Sequence, residues 1–208
     1  MVCSDLYYGF IGAAKEVFGK KVMIVADRFH VAKLYRKSLD RLRIKEMKRL
    51  KKALSQKKYH ELKNVMWILR KNPDNLSDDE IKILRLLFKY SADLKVAYHL
   101  CLNLTEIFDS PIRKGQAKRK IKGWIKRTKK SNLNCFDRFI KTLLKHMEEI
   151  TNYFIGRNSS GFVEGLNNKI KVMKRRCYGI TNIKHLFQRI LLDLEGYFRF
   201  NSYANVSH

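Results

Sequence analysis

Proline is nearly absent from this chain: Pro73 and Pro111 are the only two in 208 residues. Proline lacks a backbone donor and clashes with the preceding helical turn, so it is the main breaker of helices. A chain so free of it can run helix after helix. One segment resists that reading. VMIVA at 22–26 is an unbroken apolar run, the pattern of a strand covered on both faces in a parallel or central position. A lone strand cannot pair its backbone, so VMIVA demands neighbours. The expectation is a mostly α chain with a small α/β part near its start, with VMIVA partly exposed and prone to associate.

The remaining elements follow from local signals. LYYGFIGAAKEVF (6–18) reads as a short helix ended by Gly19. Arg28 to about Leu54 reads as a basic helix, and 55–155 as a run of helical segments. Asn72-Pro73 stops one of these. Ser77 and Glu80 form an S-x-x-E capping box that starts the next, with Ile81, Leu84, Leu87, Phe88 and Leu94 as its apolar stripe. A turn falls at 110–116, followed by a helix containing Ile121, Trp124 and Ile125. Gly161 to about Arg176 forms another helix, capped by Gly179. Ile183, Leu186, Phe187, Ile190, Leu191 and Leu194 then recur at helical spacing, which predicts a core-facing amphipathic helix.

Charge narrows the function. The chain carries 45 Lys and Arg against 19 Asp and Glu, a net +26. Such a surface attracts polyanions, nucleic acid first among them. A membrane is the rival, but no apolar run approaches the length of a bilayer span. At 45% hydrophobic residues the chain can bury a core, and disorder throughout is excluded. Cys3, Cys101, Cys135 and Cys177 form no C-x-x-C pair. They read as free thiols of a reducing cytoplasm. Trp67, Trp124 and the tyrosines are expected to pack rather than to stack on bases.

Three constellations carry chemistry. In NSSGFVEGLNNKIKVMKRRCYG (158–179) one acid, Glu164, stands among five cations. On a helix Phe162, Leu166, Ile170 and Met173 share one side, and Glu164, Asn168, Lys171 and Arg175 share the other. That row is either a solvated polar ladder or a carboxylate held beside phosphate by a metal. In VADRFHV (25–31) Asp27 ends a strand and His30 follows on a helix. The pair marks a strand-end site, or Asp27 is simply an N-cap. In CSDLYYG (3–9) Asp5 precedes a helix, where an N-cap is again an alternative. Metal-dependent phosphoryl transfer accounts for all three together. Carboxylates can hold two divalent ions roughly 3.5–4 Å apart, hard oxygen ligands select Mg²⁺ or Mn²⁺, and the basic surround binds the nucleic-acid backbone.

These residues resemble bacterial insertion-sequence transposases of the ISL-three group, which have a DDE catalytic domain. Three segments carry the resemblance: SDLYYGFIGAAKEVFGKKVMIVADRFHVAKL (4–34), WILRKNPDNLS with LKVAYHL (67–77 and 94–100), and SSGFVEGLNNKIKVMKRRCYGITN (159–182). The resemblance implies the C-terminal portion of a ribonuclease-H-like core with a large helical insertion. On that basis 1–54 holds the last strands of the core and the following helix, 55–155 the insertion, and 156–208 the core helices bearing the last acid. It implies DNA cleavage and joining at insertion-sequence ends with Mg²⁺ or Mn²⁺ in a two-metal site, in a cytoplasmic, nucleoid-associated protein. Glu164 matches the third acid. Asp5 and Asp27 both precede helices, and geometry alone does not separate them as the second. DRFH (Asp27, His30) fits the Cys/Asp-x-x-His signature that follows the second acid in related groups, which leaves Asp5 for that role. Asn168 lies near the site, and Lys171, Lys174, Arg175 and Arg176 are the candidate phosphate contacts.

The first acid of such a triad sits well upstream of the second, and only four residues precede Asp5. The expectation is therefore a truncated or frameshifted fragment that cannot cut DNA alone. The alternative is a non-catalytic basic nucleic-acid-binding protein, a possible regulator or inhibitor of a full-length transposase. Self-association is also expected of it.

Overall fold

The computed structural model describes residues 1–4, 6, 8–159 and 161–204, with side chains throughout that set except those of 8, 162–164 and 197–204. The chain divides into two compact units, residues 1–159 and 160–208.

The first unit begins with β1 (Val2–Ser4), α1 (Tyr8–Phe18) and β2 (Ile24–Ala26). Gly19 ends α1 with φ +83°, a left-handed conformation that glycine adopts without steric cost. The two strands pair in parallel, with Val2 opposite Ile24 and Ser4 opposite Ala26. Alternation explains why β2 is apolar throughout. Ile24 packs against Ile11 and Ala14 of α1, while Val25 faces the opposite way into the large helical core.

The expected partial exposure of VMIVA is met at Met23, which is 39% exposed, but not in the strand itself. Its strand portion, Ile24 to Ala26, is at most 4% exposed. Only three of its five residues form strand; Val22 and Met23 precede it. The demand for neighbours is met on one edge by β1. On the other edge a side chain substitutes for a strand: Asn152 Nδ2 donates to the Ile24 carbonyl at 2.8 Å.

From here the unit is helical: α2 (Arg28–Ala53), α3 (Gln56–His60), α4 (Val65–Ile68), α5 (Asp78–Tyr90), α6 (Ala92–Asp109), α7 (Lys114–Lys130), α8 (Asp137–Lys145) and α9 (Met147–Gly156). The cap signals hold. The Ser77 side chain accepts from Glu80 N and the Glu80 side chain from Ser77 N, so the capping box is complete. Asn72 accepts from Asp74 N and opens a single 3-10 turn, Pro73–Asn75.

Leu94, expected on the same helix as Leu84 and Leu87, lies on the next one. Ser91 ends α5 and its hydroxyl accepts from Leu94 N to start α6. A buried acid holds that corner. Glu46 of α2 accepts from the Ser91 hydroxyl at 2.7 Å and from Arg49, whose guanidinium also reaches the Tyr90 carbonyl. These bonds hold the Glu46 carboxyl below its usual range, the Arg49 bond being the largest cause and the Ser91 bond a smaller one. The breakpoint is thus a tertiary feature, invisible in the apolar spacing.

Trp124 is fully buried, donates Nε1–H to the Leu100 carbonyl, and meets Phe136 and Phe139 edge-on. Trp67 departs from expectation. It is 58% exposed, with the Arg70 guanidinium 5.6 Å from its ring centroid. Its helix, α4, has only four residues and buries Val65 and Ile68 instead. Tyr35, Tyr98 and Tyr153 are buried, but Tyr178 is fully exposed. All four cysteines are free thiols.

The second unit contains α10 (Gly161–Arg176) and α11 (Ile183–Ala204). Gly179, with φ +77°, donates to the Lys174 carbonyl and closes α10 as the sequence predicts. Lys169 of α10 pairs with Asp193 of α11 at 2.7 Å. The α11 stripe is not core-facing as expected. Met173 and Ile190 are buried, but Ile183, Phe187, Leu191 and Leu194 stay between 45% and 69% exposed. A two-helix unit offers α11 one narrow seam, whereas a 3.6-period apolar face spans a third of its circumference.

Candidate functional site

In a parallel pair both strands run the same way, so the carboxyl ends of β1 and β2 lie at one edge of the sheet. Asp5 follows β1 and lies outside the described residues. Asp27 follows β2. Its backbone N–H donates to the Ser4 carbonyl, which extends the ladder by one bond. Its carboxylate is fully buried and accepts from Phe29 N at 2.8 Å, making it the N-cap of α2. An anion suits this end of a helix, where unsatisfied N–H groups and the helix dipole favour negative charge. The charge is felt across the sheet: burial and the nearby Asp27 carboxylate together push the Cys3 thiol up. His30 sits in the first turn of the same helix, exposed. The DRFH residues are therefore brought together, and the N-cap role of Asp27 is realised.

A set of polar bonds absent from the sequence reading ties this edge to the surrounding helices. Arg28 pairs with Asp109 at the end of α6 and donates to the Tyr153 hydroxyl. Asn152, which caps the outer edge of β2, is itself held by Lys114 at 2.7 Å. Lys114 and Lys118 both pair with Glu148, and these two cations, Lys118 foremost, pull its carboxyl down to about 2.

Arg157 follows α9 in the left-handed region (φ 51°) and donates to the carbonyls of Phe108, Asp109 and Ser110. A guanidinium there satisfies carbonyls that the end of α6 leaves open. Asn158 next to it accepts from the Cys3 thiol, so the segment before α10 runs beside β1. Only Asn152 left a signal in the sequence, as a polar residue between Thr151 and Tyr153 in a helix that buries both.

On α10, Glu164 belongs to the helix but its side chain lies outside the described set. Asn168, Lys171 and Arg175 are exposed, as the two-faced reading predicts, with Met173 buried on the other side. Lys174 and Arg176 are exposed in the last turn. Asp27 and His30 belong to the first unit, and Asn168, Lys171, Lys174, Arg175 and Arg176 to the second. Among the described residues no three His, Cys, Asp or Glu side chains converge on a point that could hold a metal ion. Asp5 and the side chain of Glu164, the two acids that the resemblance assigns to metal, fall outside that set. Among the described residues no helix is long and apolar enough to cross a membrane.

Comparison with known proteins bears on these residues. The transposase family model of the ISL3 group, the ISL-three group named above, matches residues 1–190. The transposase for insertion sequence element IS1001 of Bordetella parapertussis is 28% identical over 174 residues, 83% of this chain and 42% of that protein. The transposase for insertion sequence element IS1557 of Mycobacterium tuberculosis (strain CDC 1551 / Oshkosh) is 24% identical over 136 residues, 65% of this chain and 30% of that protein. The matches thus span less than half the length of these relatives. No solved structure matches.

Proposed function

The chain belongs to the ISL3 group of transposases, and on that premise we propose that it contributes the second and third acids of a DDE site for DNA cleavage and joining at insertion-sequence ends. Asp5 is the second acid and Glu164 the third. The observation that carries the assignment is the state of Asp27. A carboxylate that is fully buried and accepts from Phe29 N helps hold the α2 terminus. This supports a positioning role for Asp27 with His30 and leaves the end of β1 to supply the metal-binding acid.

The fold of this reading is the C-terminal part of a ribonuclease-H-like core: 1–54 holds strands and the following helix, 55–155 is a helical insertion, and 156–208 carries the last acid. The parallel pair β1–β2 with helices following each strand supports it. Carboxylate oxygens suit Mg²⁺ or Mn²⁺, and such ions would supply Lewis-acid stabilisation of the attacking and leaving oxygens. Asp5 and Glu164 would hold them. Lys171, Lys174, Arg175 and Arg176 neutralise phosphates, and Asn168 lies one turn from Glu164. The place of action is the nucleoid.

The test is Mn²⁺ affinity measured calorimetrically in the presence of DNA, for the unaltered chain and for Asp5→Asn, Glu164→Gln and Asp27→Asn. The expected result is a loss of roughly tenfold or more in metal affinity for the first two substitutions and little change for the third. A second reading is favoured by the exposure of the α10 cations: a non-catalytic DNA-binding protein that regulates a full-length transposase. Under that reading Glu164→Ala leaves metal affinity unchanged, and DNA binding stays equal or tightens because a negative charge has gone.

A further inference from the structure

One helix stands apart in its charge. α7 carries nine Lys and Arg in 17 residues and no acid. Its buried stripe is Ala117, Ile121, Trp124, Ile125 and Thr128. At 100° per residue the line opposite that stripe runs through Arg119, Lys122, Lys126 and Lys130, all exposed. Gly115 and Gly123 flank the crest, with nothing within 4 Å of where a Cβ would stand. The inward-leaning cations are already engaged: Lys114 and Lys118 with Glu148, and Arg127 with Asn103. The crest cations have no ion pair among the described residues.

This arrangement is costly in the free protein. Lys122 and Lys126, and Lys126 and Lys130, are like charges at i, i+4, and Arg119 and Lys122 at i, i+3; such pairs destabilise a helix. A helix dipole favours cations only near the C-terminus, which leaves Arg119 and Lys122 uncompensated. A partner with a regular line of negative charge relieves the repulsion. The crest spans about 16 Å, a length over which one strand of duplex DNA presents about five phosphates at 3.4 Å of axis each.

We propose that the exposed face of α7 is a second DNA-binding surface, seating the phosphate backbone of duplex DNA independently of the α10 cations. This rests on the reading of DNA as the chain's partner. Two other occupants fit worse. An anionic membrane surface is bound by helices that insert apolar side chains beside their cations, and none of the exposed large apolar residues lies between Lys114 and Lys130. Protein interfaces are depleted in Lys and anchored by aromatic residues, and the crest has no aromatic side chain.

The test uses the full chain. Affinity for a duplex of random sequence is measured by fluorescence anisotropy between about 50 and 200 mM salt, a range over which phosphate contacts dominate the change. Three variants are compared with the unaltered chain: Arg119→Gln/Lys122→Gln/Lys126→Gln on α7, Lys171→Gln/Lys174→Gln/Arg175→Gln on α10, and a control of equal charge, Arg85→Gln/Lys89→Gln/Lys95→Gln. Each phosphate contact contributes about 0.9 to the slope of log affinity against log salt. The α7 variant is therefore expected to lower the slope by about 2.7, with the control near zero.

An equal loss in the control would show that only net charge matters and would overturn the proposal. A loss confined to the α10 variant would overturn it while leaving the proposed function standing. Absence of duplex binding by the unaltered chain would overturn both. Loss of binding to phosphatidylglycerol vesicles with DNA binding intact would also overturn it. Circular dichroism checks that each variant folds. If the α7 triple does not, the double Lys122→Gln/Lys126→Gln replaces it, with an expected slope loss of about 1.8.

Discussion

Glu148 shows how a single side chain is tuned by its neighbours in a chain with more than twice as many cations as acids. Lys118 and Lys114 both reach it and hold its carboxyl at about 2, against a usual value of 4.5. A carboxyl whose folded value is depressed adds stability above its unfolded value, and that stability disappears as pH falls toward the folded value. The link between α7 and α9 is therefore expected to be intact above about pH 4.5 and to weaken progressively down to about pH 2. Glu148→Gln should lower the melting temperature near pH 7 and make no difference near pH 2; thermal melts of both proteins across that range are the check. Asp27, by contrast, uses its carboxylate in a local bond, accepting from Phe29 N. The sequence made its cap role readable because a cap depends on residues within three positions of it.

At the scale of elements, the short sheet is the instructive case. Two strands of three residues each would be marginal alone. Here β2 is completed by Asn152, so the Ile24 carbonyl is not left open in a buried setting. Asn152→Leu removes the donor to Ile24 and the acceptor of Lys114 together. It is expected to destabilise the first unit by about 1–3 kcal/mol, the cost of a buried polar group left without a partner. Urea denaturation measures it, and a change below about 0.5 kcal/mol would mean that the backbone finds another donor. The helix breaks follow the same division. Ser77–Glu80 and Gly179 act within one turn, and both were legible. The break at Ser91 depends on Glu46, 45 residues away, and no local window contains both.

For the whole molecule, the net +26 is a standing repulsion. Few cations can be paired when acids are so outnumbered, and self-repulsion destabilises the compact state. Raising salt from about 20 to 200 mM should therefore raise the melting temperature by several degrees, since exposed like charges are screened at those concentrations. Under the proposed function, double-stranded DNA at the same low salt should do so too, because it would bind the folded state. Scanning calorimetry would show both. A melting temperature that falls with salt would mean that the ion pairs around Glu148 and Glu46 outweigh the repulsion.

The sequence by itself determined what depends on short range and on periodicity: a mostly helical chain, the turns at Asn72-Pro73 and Gly179, the Ser77–Glu80 capping box, the two faces of α10, and the basic character that points to nucleic acid. It also carried the family motifs around DRFH and VEGLNNKIK. Tertiary structure alone decided which apolar faces find a partner. The strand of VMIVA, Ile24 to Ala26, is buried because Asn152 and α1 happen to meet it, while the equally periodic face of α11 remains open because its unit offers one helix to cover it. It likewise exposed Trp67, held Arg157 against the end of α6, and separated the paired cations of α7 from the unpaired crest. Hydrophobic periodicity states that a face can be buried; only the positions of distant residues state whether it is, because burial and charge pairing are made by neighbours in space rather than in sequence.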